Sequence, residues 1–264
     1  MEEGAVRGDA RVEDIADRLD GAAVHGLAVE TLGVETLELA YQVQSALIER
    51  RLERGEAHAG WKLGFTSASK MRRMGVSQVI VGQLTSAMDW TADEPGRQSA
   101  LIDPRAEPEV AFLVDRPVDC RQEPATALRS AVSGVAVAVE VIDSRYVDSK
   151  FGVGDVVADN ASAVGFAVGP WLVASELSPL TDHEIELFVN GQHIAAGLAS
   201  EILGDPWAAL DAFHNVAREQ GWMLQVGDVV LAGAVTAAVE VGRGDLVSAR
   251  SNVLGTAQLR IPEP

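Results

Sequence analysis

The chain has 264 residues, 47% of them hydrophobic and 23% charged, enough for one large or two small globular cores. Its 39 acidic and 21 basic residues leave a net charge of −18, a surface that repels nucleic acid and anionic membranes and argues against both as partners. A single cysteine, Cys120, excludes a disulfide within the chain, the acidic start MEEGAVRGDARVED has no signal-peptide core, and the longest apolar run, GVAVAVEVI, is far short of the roughly 20 residues of a membrane helix, so a soluble cytoplasmic protein is expected.

The first third reads helical. RVEDIADRLDGA places Val12, Ile15, Ala16 and Leu19 on one face, and TLELAYQVQSALIERRLERG does the same with Leu37, Leu39, Tyr41, Val43, Leu47 and Ile48. Arginines crowd the end of the second helix and Gly55 follows it, which marks a C-terminus. A short strand, Trp61 to Phe65, comes next, then a helix opened by Thr66 or Ser67 and closed by Gly75. From about residue 100 the pattern turns to strands at 109–114, 134–144, 163–169 and 184–197, the last folded at Asn190-Gly191 as a type I′ hairpin. One helix interrupts, with Asp205 as its N-cap, Pro206 in its first turn and Trp207, Leu210, Phe213 and Ala217 inward. Short strands divided by Gly and Gly-Asp turns complete the chain. The expected organisation is α+β: a mainly helical part over residues 1–100 and a β-rich part over 101–264.

The strand RAEPEVAFLV carries Glu107 and Glu109, two residues apart and therefore on one face, about 6–7 Å apart at the backbone. A third acid, Glu140, lies within the apolar strand GVAVAVEVI. Buried like charges repel and lose hydration, so a compensating partner is required. Two readings stay open: an all-oxygen site for a hard cation such as Mg²⁺ or Mn²⁺, or an ion pair between Glu140 and an arginine such as Arg145.

Lys62, one of only three lysines, stands between Trp61 and Leu63; it is either a snorkelling surface residue or a charge that holds a substrate oxygen near a metal. The stretch FGVGDVVADNASAVGF reads as a surface loop in which Asn160 or Ser162 could donate to a ligand. The chain has no GxSxG, HExxH or P-loop, and its five histidines show no ligand spacing. His214 reads as structural, and Cys120 lacks an activating partner.

The E-x-E pair, the third acid 31 residues beyond Glu109, the segments KLGFTSASKMRRMGV, EVIDSRY and DVVADNASAVGFAVG, and the closing GDVVLAG…GDLVSARSNVLGTAQL together resemble the hydratase/decarboxylase branch of the fumarylacetoacetate hydrolase superfamily. The resemblance covers residue 35 or so to the C-terminus. It implies a mixed β-roll, barrel-like C-terminal domain with a smaller helical N-terminal part, and a homo-oligomer that can join a homologous hydratase. It also implies Mg²⁺ or Mn²⁺ on Glu107, Glu109 and Glu140, with Lys62 as the catalytic cation and Gly64, Ser162 and Lys150 around the substrate carboxylates. The implied reaction is metal-dependent decarboxylation of a 2-oxo-3-enedioate from an aromatic meta-cleavage pathway. Hydration of 2-hydroxypenta-2,4-dienoate is the alternative, and a non-catalytic partner subunit is a third. Hydratases of the branch are expected to carry an acid where this chain has Ile80 and Val81, which favours decarboxylation.

Overall fold

A computed structural model describes residues 2–67, 71, 72, 76, 78–92, 100–149, 151–177 and 179–263. Helix α1 (Glu2–His25) packs on α2 (Leu37–Glu53). Thr36 caps α2 by accepting from the Leu39 N–H; of the face that the spacing predicts, Tyr41, Val43, Leu47 and Ile48 are buried, joined by Ala40, while Leu37 and Leu39 are half-buried. The strands follow as β1 (His58–Gly64), β2 (Ile80–Thr85), β3 (Arg105–Val114), β4 (Val118–Asp119), β5 (Val132–Ile142), β6 (Ala163–Val168) and β7 (Leu172–Val173). Beyond them lie β8 (Glu184–Val189), β9 (Gln192–Leu198), β10 (Met223–Leu224), β11 (Val229–Ala234), β12 (Val239–Glu240), β13 (Leu246–Ser251) and β14 (Gly255–Arg260). Further helices among the described residues include α3 (Ala125–Ser130), α4 (Val153–Ala158) and α5 (Pro206–Gln220).

The main sheet is mixed and eight-stranded, ordered β2-β1-β11-β3-β5-β6, with β12 also paired to β3 and β7 to β5. β1 runs parallel to β11, and the other pairs in the path are antiparallel. Strands β1 and β2, from the first hundred residues, thus belong to the same sheet as β3 and β5. Helix α2 braces that end. Gln44 is buried and donates to the carbonyls of Val81 and Val157, each at 2.9 Å, while the Val81 N–H donates to the Tyr41 hydroxyl at 3.3 Å.

A second sheet, β14-β13-β8-β9, packs on the main one, and its hairpin turns at Asn190 and Gly191, with φ of 52° and 80°, as a type I′ turn requires. Helix α5 begins at Asp205, which accepts from the Trp207 N–H, and ends at left-handed Gly221. His214 is buried with Nε2 2.7 Å from the Glu123 carbonyl, a structural role as expected. The expected surface loop at 151–162 is instead largely interior. α4 is one and a half turns long, and Asp155 through Ser162 are all buried. The Val and Ala residues of GDVVADNAS cover apolar surface there, and composition rich in Gly, Asp and Asn conceals them. Most of the helix expected after Thr66 lies outside the described residues; Met71 and Arg72 are helical. Among the described residues, no helix is long and apolar enough to cross a membrane.

Candidate metal centre

The antiparallel register of β3 on β5 sets Glu107 directly opposite Glu140, and Glu109, two residues on, opposite Ala138. The strand period then turns all three carboxylates to one face, where one ligand oxygen from each lies within 4.8 Å of the others. All three residues are buried, with Glu109 fully inaccessible. The small Ala138 leaves room beside Glu109. Such a cluster is not stable as three bare anions.

Lys62 reaches it from β1, two strands away from β3. It is 3% exposed, which removes the snorkelling reading, and Nζ stands 3.1 Å from Glu140 Oε1. Glu140 therefore takes a lysine, not Arg145, as its cation. Arg145 is engaged elsewhere: its Nε contacts Asp159 Oδ1, and Nη1 donates to the Asp143 carbonyl at 2.7 Å. Burial opposes the charge on Lys62, but the combined pull of Glu140, Glu109 and Glu107 exceeds it and holds the pKa above the ordinary lysine value. Burial raises the pKa of Glu109 well above the carboxylate range, and repulsion from Glu140 adds to it. Burial likewise raises Glu140, with Lys62 pulling the other way.

Lys62 leaves acceptors of this cluster unmet among the described residues. Glu109 Oε2 accepts from the Gly233 N–H at 2.8 Å, whereas Glu109 Oε1 and both oxygens of Glu140 lack a hydrogen bond. The 3.1 Å Lys62–Glu140 approach is thus a charge contact, not a directed bond. Buried acceptors in this state are expensive unless another group meets them. Three convergent, orphaned carboxylate oxygens in a hard-donor set fit a divalent cation of the Mg²⁺ type.

Backbone features missed by the residue pattern complete the surroundings. Gly233 has φ 110°, and a Cβ there would fall 2.0 Å from Thr66 Oγ1, so glycine alone brings the N–H to Glu109 beside buried Thr66. Opposite Lys62 on β2 lies Gly82, whose Cβ would stand 2.7 Å from the Asn160 carbonyl oxygen and 3.0 Å from Lys62 Cδ. A glycine inside a strand is the sequence signal for such a close approach. Asn160, Ala161 and Ser162 are all left-handed, with φ of 52°, 51° and 59°, and the Ala161 carbonyl accepts from Lys62 Nζ at 3.2 Å. Outside glycine this region costs of order 1–2 kcal/mol per residue, least for asparagine.

The other expected substrate contacts lie as follows. Gly64 ends β1, half-buried and paired with Ile80. Ser162 is buried, with Oγ directed at Asp159 Oδ2 at 3.4 Å. Lys150 lies outside the described residues. Both ends of the Asn160 amide engage β2: Oδ1 accepts from the Gln83 N–H at 2.7 Å and Nδ2 donates one of its two N–H groups to the Gln83 carbonyl at 2.8 Å. A cleft of about 470 Å³ opens beyond Thr66, lined by Ser67, Met71, Arg72, Ser200, Glu201, Leu203 and Gly204; neither Lys62 nor the glutamates line it.

Residues 76–261 match the model of the fumarylacetoacetate (FAA) hydrolase C-terminal family. The chain is 42% identical to a 4-oxalocrotonate decarboxylase of Pseudomonas sp over 255 residues, covering 93% of this chain and 96% of that one. It is 30% identical to a 2-keto-4-pentenoate hydratase of Burkholderia vietnamiensis, covering 97% and 99%. The solved structure of 4-oxalocrotonate decarboxylase from Pseudomonas putida G7, complexed with magnesium and adipate, superposes with a TM-score of 0.86 at 28% identity over 96% of this chain and 98% of that one. The α+β architecture with N-terminal helices agrees with the fold implied by the sequence motifs.

Proposed function

Given that the chain belongs to the fumarylacetoacetate hydrolase family, we propose that it is a divalent-metal-dependent carboxy-lyase. Its substrate on this reading is 2-oxo-3-hexenedioate (4-oxalocrotonate) or a close analogue, and its products are 2-hydroxypenta-2,4-dienoate and CO₂. The observation that carries the reading is the buried triad of Glu107, Glu109 and Glu140, with orphaned oxygens on Glu109 and Glu140 and Lys62 in contact with Glu140. The 42% identity to a decarboxylase against 30% to a hydratase supports this member of the branch, as does the apolar pair Ile80 and Val81 where an acid would serve proton transfer.

Glu107, Glu109 and Glu140 would hold Mg²⁺ or Mn²⁺, which supplies Lewis acidity to a bound 2-oxo acid. Lys62 contributes a fixed positive charge beside the 2-oxo oxygen, where negative charge grows as the distal C–C bond breaks and CO₂ leaves. Burial makes that charge effective because little water screens it. Gly64 and Ser162 remain the candidates for orienting the carboxylate next to the oxo group. Departure of CO₂ needs no base to begin it, which suits a site whose acids are committed to a cation. The electron pair left by CO₂ ends on the 2-oxo oxygen, which takes a proton from solvent to give the 2-hydroxy product.

The test is a pair of ultraviolet time courses with Mg²⁺, each repeated with EDTA. One follows 2-oxo-3-hexenedioate with released CO₂ counted, the other 2-hydroxypenta-2,4-dienoate. Metal-dependent CO₂ release from the first alone is expected. Consumption of the second without CO₂ would replace this reading with hydration, and silence in both would point to other 2-oxo acids.

A further inference from the structure

We infer that Asn160 is a positioning residue for Lys62, acting through the backbone of a left-handed turn; this rests on the catalytic role proposed for Lys62. The Ala161 carbonyl accepts a well-directed hydrogen bond from Lys62 Nζ at 3.2 Å, whereas the 3.1 Å approach to Glu140 Oε1 is poorly aligned and held mainly by charge. A lysine amine turns on four torsions, and a charge contact does not fix its direction. The Ala161 carbonyl does.

Three observations show that this carbonyl is placed deliberately. Asn160, Ala161 and Ser162 occupy the left-handed region in succession, an arrangement that persists only when its surroundings enforce it. Asn160 enforces it from one side, bracketing Gln83 N–H and C=O on β2 with bonds of 2.7 and 2.8 Å. From the other side, buried Asp159 is held by Arg145 and accepts from Ser162 Oγ. Finally, Gly82 clears the space in which the Asn160 backbone and the Lys62 stem pass each other; any side chain there would strike both. A turn serving only to carry the chain from α4 into β6 would need neither the bracket on β2 nor a glycine opposite Lys62. The bracket ties the carbonyl to β2, the strand paired with β1 directly opposite Lys62, so donor and acceptor move together.

The experiment compares Asn160→Ala, Lys62→Ala and the double variant in the Mg²⁺-loaded enzyme with 2-oxo-3-hexenedioate, with Mg²⁺ affinity by calorimetry and melting temperature beside kcat and KM. Asn160→Ala should lower kcat about tenfold, with KM and Mg²⁺ affinity within about twofold of the parent, and the double variant should be no slower than Lys62→Ala, because both act through one group. Asn160→Asp keeps the acceptor for the Gln83 N–H and tolerates the left-handed region but loses the donor, so an intermediate kcat is expected; it also guards against a folding defect in the alanine variant. Parental kcat in Asn160→Ala, or losses that multiply in the double variant, would overturn the inference while leaving Lys62 in its role. Parental kcat in Lys62→Ala would remove that role itself, and the inference with it.

Discussion

Two clusters of buried charge lie within a few residues of each other, and they are built in opposite ways. Around Arg145 the carboxylates are hydrogen-bonded. Asp159 receives the guanidinium, the Arg145 N–H and the Ser162 hydroxyl, while Asp143 accepts from the Ile102 and Asp103 N–H groups, both at 2.7 Å. Beside Lys62 three carboxylates converge, and among the described residues Glu109 Oε1 and both oxygens of Glu140 have no hydrogen bond. Carboxylates whose oxygens are met need nothing further, whereas buried carboxylates with unmet oxygens take up a proton or a cation. Burial of charge alone therefore does not mark the site; the unmet oxygens do.

The sharpest way to break this contrast is to alter one member of each cluster. Glu109→Gln or Glu140→Gln should lower metal-dependent turnover by about 10³-fold or more while the protein stays folded, read by kcat and by circular dichroism. Either variant at parental activity would end the metal assignment. Arg145→Met should do the reverse. It strands Asp159 in a buried site and should cost about 3–5 kcal/mol in chemical denaturation. Should Arg145→Met leave stability intact, the hydrogen-bonded pair would not be the structural one.

Lys62→Ala should lower kcat by about tenfold or more, and a change confined to KM would make it a binding residue. A smaller effect sharpens the electrostatics. Glu109 ionises above the ordinary carboxylate range in metal-free protein, chiefly through burial and then through Glu140. The folded state keeps that proton longer than the unfolded chain. Its contribution to stability is thus present below the ordinary carboxylate pKa and lost as pH rises through the raised value. EDTA-treated protein should show this fall in thermal melts as pH rises above the ordinary carboxylate range, and Glu109→Gln should show less of it. Mg²⁺ binding should release protons, detected by calorimetry in two buffers of different ionisation heat. The smallest change is expected at Cys120, whose thiol is pushed up to about 11 by burial, then by Asp119 and Glu123; Cys120→Ser should leave kcat unchanged.

Much of the architecture is legible in local patterns. The faces of α2 and α5, the Asn190-Gly191 turn and the caps at Asp205 and Gly221 follow from short-range chemistry that tertiary context only reinforces. Strand β2 and the buried turn at 160–162 are not legible in the same way. Ile80–Thr85 contains a glycine and offers no clean alternation, since nearly every position is buried. The left-handed run carries Ala and Ser, residues that give no local sign of positive φ.

The sequence by itself determined that Glu107 and Glu109 share a face, because side chains alternate along any strand, and that Glu140 lies in an apolar segment. Only the tertiary structure decided that Glu140 stands opposite Glu107, that Lys62 crosses from two strands away, and that Arg145 belongs to another cluster. Register and strand order join residues distant in sequence. No local periodicity encodes that joining, because it is settled by which apolar faces and backbone edges pack together.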